Sequence, residues 1–152
     1  MRYATTSSKE TEALGRACAR RIANSKLQIA RRRGAVVVAL YGDLGSGKTT
    51  FARGMLRALG VRGRVTSPTF VLMKGFRIYD LRIKNVYHID AYRLKKIDTL
   101  LRTSLANVMK NPDNLVIIEW PENVRAHLPR GTKRVYFRHG AHKEERTISS
   151  EA

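Results

Sequence analysis

Residues 42–49 carry a glycine-rich pattern that is typical of phosphate-binding loops. They read GDLGSGKT and match the spacing G-x-x-x-x-G-K-[ST]. Glycines allow successive backbone N–H groups to turn inward, and the start of a following helix adds positive potential, so the loop forms an anion site. Lys48 supplies a charge for the β- and γ-phosphates, and Thr49 supplies a hydroxyl oxygen for Mg²⁺. The residues predicted to bind a nucleoside triphosphate here are Gly42, Gly45, Ser46, Gly47, Lys48, Thr49 and Thr50.

The sequence favours ATP over GTP by exclusion. A GTPase usually adds D-x-x-G after a later strand and N-K-x-D near the base, and this sequence contains neither pattern. Nucleoside kinases also use this loop, but they need an acceptor site and usually a lid. A chain of 152 residues leaves little length for both.

Two acidic residues directly follow apolar segments that predict buried strands. Residues 86–89 lead into Asp90, and residues 115–118 lead into Glu119. In an open α/β sheet, ligands bind beyond the carboxyl ends of the parallel strands. If the strand before the phosphate loop is parallel to both, the two carboxylates and the loop meet at one edge. Such a group could hold Mg²⁺ and orient an attacking water.

Three further features leave alternatives open. Residues 66–69, TSPT, are either a plain turn or a switch loop that senses the γ-phosphate. His88 shares a strand face with Asp90, and a structural role is favoured over a catalytic one. Trp120 is either a core aromatic residue or a lid on the nucleotide site.

The segments around these residues alternate between helix-like and strand-like patterns. Apolar spacing predicts helices over residues 9–32, 49–59 and 96–110, and strands over 35–41, 85–89 and 115–118. A hairpin is expected around Lys74 and Gly75, and late strands near a sheet edge over residues 134–138 and 145–149. The pattern predicts an α/β fold like that of P-loop NTPases, with three layers, helices on both faces of a mostly parallel central sheet, and late antiparallel edge strands. We expect residues 1–152 to form a single domain.

The charge balance is strongly basic. Lys and Arg number 30 against 12 Asp and Glu, which gives a net charge of +18. Such a surface attracts polyanions, chiefly RNA, in a salt-dependent way, although a compositional bias toward arginine would give the same count. The single cysteine, Cys18, excludes an intramolecular disulfide, and no apolar run reaches the roughly 20 residues of a membrane span. We therefore expect a cytoplasmic protein without a membrane partner.

Four blocks of sequence together resemble the TsaE (YjeE) family of small P-loop ATPases. They are residues 42–50, 67–69, 88–93 (HIDAYR) and 119–121 (EWP), and their order and spacing are similar to the family pattern. The resemblance extends over roughly residues 7–149. Two departures occur: Ala91 stands where the family usually has leucine, and residues 95–102 are basic where the family is usually rich in glutamate.

The resemblance implies a function as well as a fold. Proteins of the TsaE family are cytoplasmic ATPases that work with TsaD and TsaB, which install threonylcarbamoyl on adenosine 37 of tRNAs that read ANN codons. By similarity, Thr49 and Glu119 are the Mg²⁺ ligands, and Asp90 and Thr69 belong to the hydrolytic switch region beside the catalytic Lys48. Contacts to the nucleotide are also implied for Ser8, Thr11 and Arg146. The chain alone is then expected to be a weak ATPase that its partners stimulate.

Two other functions remain open from the sequence. The chain could be a nucleotide-gated RNA-binding module in which the net charge of +18 is the main functional feature. It could also, with less support, be a small-molecule kinase.

Overall fold

The computed structural model of the chain describes residues 1–25, 33–62, 72–79, 83–94 and 99–151. The predicted switch loop at residues 66–69, including Thr69, lies outside these ranges. So does the predicted continuation of the first helix over residues 26–32. Within the described ranges, no helix is both long enough and apolar enough to cross a membrane.

The described strands form one seven-stranded sheet. They are β1 (Arg2–Thr5), β2 (Val36–Tyr41), β3 (Met73–Arg77), β4 (Asn85–Asp90), β5 (Asn114–Glu119), β6 (Lys133–His139) and β7 (Arg146–Ser150). Their order is β1-β7-β6-β2-β5-β4-β3. The four central strands, β6, β2, β5 and β4, are mutually parallel. The outer pairings, of β7 with β6, β1 with β7 and β3 with β4, are antiparallel. This architecture confirms the predicted α/β fold.

Helices cover both faces of the sheet. They are α1 (Ser8–Asn24), α2 (Lys48–Ala58) and α3 (Thr99–Lys110), with a 3-10 helix at Pro121–His127. The first two pack on one face, where Phe51 and Leu56 meet Leu40 and Phe137. On the opposite face, α3 and the 3-10 helix pack against Val37, Val116 and Ile118. The three-layer arrangement follows because the central strands are apolar on both sides.

The predicted hairpin at Lys74 and Gly75 is wrong. Met73–Arg77 is a single strand that pairs along its length with β4, and Gly75 lies opposite Tyr87. A Cβ at Gly75 would lie only 2.8 Å from the Tyr87 ring. The glycine therefore makes room for a cross-strand aromatic ring, and no turn is needed to explain it.

Two strands differ from the sequence-based expectation in position. Residues 133–139 do not form an edge: β6 pairs in parallel with β2 and completes the parallel core. The edges are β3 and β1, and β1 lies in a segment for which no strand is predicted. Arg2–Thr5 becomes a strand because β7 offers it a partner about 145 residues later in the chain, from Arg2 against Ser149 to Thr5 against Arg146.

The helices α1 and α2 cross in unusually close contact. A Cβ built on Gly15 would lie 2.1 Å from the Phe51 carbonyl oxygen, and one on Gly54 would lie 2.1 Å from that of Glu12. Only glycine allows the two backbones to approach so closely. The crossing places the start of α1 directly beside the phosphate loop.

Candidate functional site

The phosphate loop joins the end of β2 to the start of α2. Gly42, Gly45 and Gly47 have φ angles of 144°, 73° and 99°, in the region that disfavours other residues. Gly42 also packs tightly, since a Cβ there would lie 2.5 Å from the Phe137 carbonyl oxygen. Gly47 is the N-cap of α2 in the left-handed conformation. The loop geometry therefore requires glycine at these three positions.

Lys48 is folded back onto the loop. The residue is buried, with 4% of its surface exposed. Its Nζ donates to the carbonyl oxygens of Gly42 at 2.5 Å and Asp43 at 2.7 Å. Nζ also lies 4.0 Å from the centroid of the Trp120 ring. Burial lowers the pKa of Lys48, although nearby carboxylates, Glu119 first among them, oppose that shift. The ammonium group is thus held against the backbone of the loop and beside the Trp120 ring.

Asp90 and Glu119 meet at the carboxyl edge of the sheet, as the strand pattern indicates. They are paired in the register of β4 and β5, and both are buried, at 5% and 3% exposure. The Thr49 hydroxyl donates to Glu119 Oε2 over 2.8 Å, which connects the start of α2 to the end of β5. One carboxylate oxygen of Asp90 accepts from the backbone N–H of Tyr92 at 3.0 Å.

His88 contacts the second oxygen of Glu119. Its Nε2 lies 2.7 Å from Glu119 Oε1, and both side chains are almost fully buried. Nδ1 of His88 has no hydrogen-bond partner among the described residues. The sequence places His88 on the face of Asp90 but gives no sign of this contact, because the contact depends on the register between β4 and β5. Glu119 is thereby fixed from two sides, by Thr49 and by His88.

The N-terminal and C-terminal segments supply the opposite rim. Both segments come close to Gly47. A Cβ built on Gly47 would lie 3.4 Å from Thr11 Cγ2 and 3.8 Å from Arg146 Nε. The Arg146 guanidinium donates to the carbonyl oxygens of Lys143 at 2.6 Å and Glu145 at 2.7 Å. Ser8 Oγ donates to Glu144 at 3.3 Å. Residues from both ends of the chain thus lie within reach of the phosphate loop.

One cleft joins these groups, with a volume of about 470 Å³. The predicted residues that line it are Ser8, Thr11, Gly45, Ser46, Gly47, Lys48, Thr49, Thr50, Asp90, Glu119 and Arg146. Gly42 does not line the cleft; it lies behind the loop against Phe137 and accepts from Lys48. Thr69 lies outside the described residues. The volume falls within the range of small-molecule sites, about 300–1,000 Å³.

An aromatic wall, which the sequence leaves undecided, closes one side of the cleft. Trp120 has φ 57° and ψ 49°, a left-handed conformation that costs a non-glycine residue roughly 1–2 kcal/mol. Its ring lies 4.8 Å from that of Tyr92, and both line the cleft. Trp120 therefore faces the site and also borders the core of the α3 face.

The donor set fits Mg²⁺. Thr49 and Glu119 offer a hydroxyl and a carboxylate oxygen already in contact, and Mg²⁺ prefers oxygen ligands while keeping several waters and phosphate oxygens. Among the described residues, no group of three or more His, Cys, Asp and Glu side chains could hold a metal alone. A magnesium ion here would therefore depend on the phosphates of the nucleotide to complete its coordination.

Comparison with known proteins places the chain among relatives of one kind. Residues 5–148 match the family model described as "Threonylcarbamoyl adenosine biosynthesis protein TsaE". The chain is 41% identical over 95 residues to the tRNA threonylcarbamoyladenosine biosynthesis protein TsaE of Haemophilus influenzae, a match that covers 62% of this chain and 58% of that relative. It is 29% identical over 149 residues to the protein of the same description in Bacillus subtilis, covering 98% of this chain and 84% of the relative. The chain thus spans less than two thirds of the Haemophilus relative, but most of the Bacillus one.

Among solved structures, the chain resembles the crystal structure of Bacillus subtilis YdiB. The TM-score is 0.67 at 23% sequence identity, and the match covers 99% of this chain and 83% of that chain. At this level of identity the likeness shows a shared fold.

Proposed function

Because this chain belongs to the TsaE family, we propose that it binds and hydrolyses ATP with Mg²⁺. In this way it supports TsaB- and TsaD-type partners, which form threonylcarbamoyladenosine at position 37 of tRNAs that read ANN codons. The observation that carries the proposal is the meeting of the phosphate loop with Asp90 and Glu119 at one edge of the sheet. The proposal includes a cytoplasmic location and a single domain over residues 1–152.

ATP binding uses groups that the structure already orients. The backbone N–H groups of the loop and the start of α2 favour the phosphates. Lys48 exchanges its two carbonyl partners for phosphate oxygens, a change that a partly desolvated ammonium group makes readily. Ser8, Thr11 and Arg146 stand on the opposite rim, where they can contact the rest of the nucleotide.

Hydrolysis is assigned to the acidic edge. Thr49 and Glu119 would hold Mg²⁺, which would supply positive charge to stabilise the phosphates during transfer. Asp90 orients a water whose oxygen bonds to the γ-phosphorus while the bond to the bridging oxygen breaks. Thr69 is assigned to the same region from the family resemblance. His88 keeps the Glu119 carboxylate in position through its bond to Oε1.

A low intrinsic rate is part of the proposal. Phosphoryl transfer needs charge stabilisation at the γ-phosphate beyond one lysine and one cation, and a second protein often completes such a site. Tyr92 and Leu44 are exposed hydrophobic residues at the mouth of the cleft, where a docked partner would cover them. Partner docking would then order the cleft and accelerate hydrolysis.

The test is the steady-state ATPase rate of the full chain, alone and with a reconstituted TsaB–TsaD pair. We expect a slow rate alone and a marked increase at saturating partner. Lys48→Ala is the matched control for contaminating ATPases, and it should bind ATP at least tenfold more weakly because a charge-assisted hydrogen bond contributes about 1.5–3 kcal/mol. A rate that equals that of Lys48→Ala with and without a bound partner would contradict the proposal.

A further inference from the structure

The sheet face that carries α3 is only partly covered. On this side, α3 and the 3-10 helix pack over Val37, Val116 and Ile118, and the core there includes no described residue of β6, β7 or β1. Phe137 and Ile148 point into the opposite core, so their strand neighbours face this side. We call the uncovered area the open sheet face; its residues are Arg2, Ala4, Tyr41, Arg134, Tyr136, Arg138, Thr147 and Ser149.

The strand register aligns four of these residues in one row. Arg2 pairs with Ser149, Ser149 with Tyr136, and Tyr136 with Tyr41. Because adjacent strands lie about 4.8 Å apart, the row is roughly 14 Å long. The rings of Tyr41 and Tyr136 are stacked, with centroids 5.0 Å apart and an angle of 21° between planes. On the other side of Tyr136 stands Ser149, whose side chain is small, and Tyr136 itself is half-buried.

Arginines surround the aromatic pair. Arg134 and Arg138 lie two residues on either side of Tyr136 along β6, so each is about 7 Å from it on the same face. Both are exposed, as is Arg2 at the end of the row. Arg2 and Arg138 form no ion pair with any residue that the structure describes. Glu151 accepts from the Tyr136 hydroxyl at 2.7 Å and from Arg134 at 3.2 Å, which holds the ring in place.

We propose that the open sheet face is a binding site for single-stranded RNA. Unpaired bases stack on the Tyr136–Tyr41 pair from the side of Ser149. Arg2 and Arg138 contact the backbone phosphates on either side of the stacked bases, and Arg134 exchanges its exposed ion pair with Glu151 for a third phosphate. Aromatic residues set among cations on an uncovered sheet are a recurrent way to bind single strands without sequence readout. The chain's net charge of +18 attracts the polyanion to this surface.

Chemistry and geometry favour this ligand over the alternatives. An acidic peptide would satisfy the arginines but would leave the stacked rings unused. A duplex buries its base faces, so it too could contact only the arginines. The choice of RNA over DNA rests on the proposed function in tRNA modification. The site itself lies outside the nucleotide cleft, and its binding can be measured without ATP hydrolysis.

The experiment measures the fluorescence anisotropy of a labelled, unstructured 12-nucleotide RNA with the full chain, across a salt series. The test variant is Arg2→Gln, Arg134→Gln and Arg138→Gln combined. The matched control is Arg20→Gln, Arg62→Gln and Arg77→Gln, three exposed arginines that line a separate cavity at the ends of α1 and α2. We expect the test variant to lose at least tenfold in affinity. The slope of the logarithm of the binding constant against the logarithm of the salt concentration should become less negative by about 2, since each phosphate contact contributes about 0.7 on single strands. The control variant should lose threefold or less.

A second pair of variants tests stacking. Tyr136→Ala should weaken RNA binding by about fivefold or more, whereas Tyr136→Phe keeps the stacking ring, loses only its bond to Glu151, and should bind within about twofold of the wild type. Thermal unfolding of each variant checks that the sheet remains intact. Equal losses in the two arginine triples would assign binding to net charge alone and overturn the site. Competition by polyglutamate or by duplex RNA as strong as by the single strand would overturn the ligand. Because no ATP is present, these results are independent of whether the ATPase proposal holds.

Discussion

At the level of single residues, both carboxylate oxygens of Glu119 are held by side-chain contacts. One oxygen accepts from Thr49 and the other lies 2.7 Å from His88, so the carboxylate cannot rotate without breaking a buried contact. A buried carboxylate without partners would be costly, and these two bonds make its burial tolerable. Glu119 therefore enters the cleft with a fixed orientation, which suits a metal ligand better than a general surface acid.

Asp90→Asn and Glu119→Gln are expected to impair hydrolysis more than ATP binding. Both acids are assigned to Mg²⁺ and water, whose arrangement matters most in the transition state, so each variant should lose at least about tenfold in kcat. The measurements are steady-state ATPase with the partner pair and, separately, titration with a fluorescent ATP analogue. Asp113→Asn, which removes a partly exposed acid paired with Lys84 before the start of β5, away from the cleft, is the matched control and should keep the wild-type rate. A wild-type rate in both test variants would refute the acidic edge as the hydrolytic site.

At the scale of elements, the crossing of α1 and α2 controls the geometry of the cleft. Gly15 and Gly54 let the two backbones touch, and Glu12 binds both Arg16 on its own helix and Arg57 on the other. Thr11 lies one residue from Glu12 and next to Gly47, so a shift of α1 would move the rim of the cleft. The packing of two helices thus couples the N-terminal segment to the phosphate loop.

Gly54→Ala is expected to destabilise the protein by about 1–3 kcal/mol, although alanine is the better helix former. The added methyl group would lie 2.1 Å from the Glu12 carbonyl oxygen and 2.9 Å from its carbon, which are backbone atoms that cannot move alone. Urea unfolding measures the change. Arg53→Ala, at a half-buried neighbouring position of α2, is the control and should change stability by no more than about 0.5 kcal/mol. A Gly54→Ala variant as stable as the wild type would show that the helices separate at little cost.

Glu12→Gln is expected to destabilise the protein at neutral pH and to matter less in acid. Burial alone would raise the pKa of Glu12, but hydrogen bonds from Arg16 and Arg57 outweigh it and lower the pKa from the ordinary 4.5. A lowered pKa in the folded state contributes stability above the unfolded value, and that stability is lost as the pH falls through the folded value. The difference in free energy of unfolding, about 1–3 kcal/mol at pH 7, should therefore shrink below about pH 4.5. Urea unfolding across pH 3–7 measures it, and a difference that stays constant would exclude a charged Glu12.

At the scale of the whole molecule, the charge of +18 acts on both binding and stability. Uncompensated like charges repel one another in the compact state, and salt screens that repulsion. The open sheet face gives part of this charge a defined location beside stacked aromatic rings, which the total alone does not.

Raising NaCl from about 10 mM to about 100 mM is expected to stabilise the fold, because the Debye length falls from about 30 Å to about 10 Å. Relief of about 1 kcal/mol of repulsion would raise Tm by about 2–4 °C at this chain length. Thermal unfolding at the two salt concentrations measures the shift. The variant Arg20→Gln, Arg62→Gln and Arg77→Gln carries three fewer charges, 18 − 3 = +15, and should shift less. A Tm that does not respond to salt would show that the positive charges are already compensated in the fold.

Features that depend on local chemistry can be predicted from short segments of this chain. The spacing of glycine, lysine and threonine in residues 42–49 indicates a phosphate loop. The structure agrees, since the three glycines adopt positive φ angles just before a helix. Continuous apolar runs ending in Asp90 and Glu119 indicate parallel strands with acids at the same edge. The parallel pairing of β2 with β5 and of β5 with β4, the helices on both faces and the family therefore follow from short segments taken in order, whereas the place of β6 in the parallel core does not.

Features that depend on pairing between distant segments become visible only in the folded chain. The contact of His88 with Glu119 needs the register of β4 on β5, and the strand at Arg2–Thr5 exists only because β7 pairs with it. Gly75 resembles a turn residue in its local sequence, but the position needs glycine because the Tyr87 ring of the neighbouring strand lies against it. The row from Arg2 to Tyr41 joins four strands from both ends of the chain, and its chemistry appears only when backbone hydrogen bonds bring them side by side. Register is a property of a pair of strands, so no single segment can encode it.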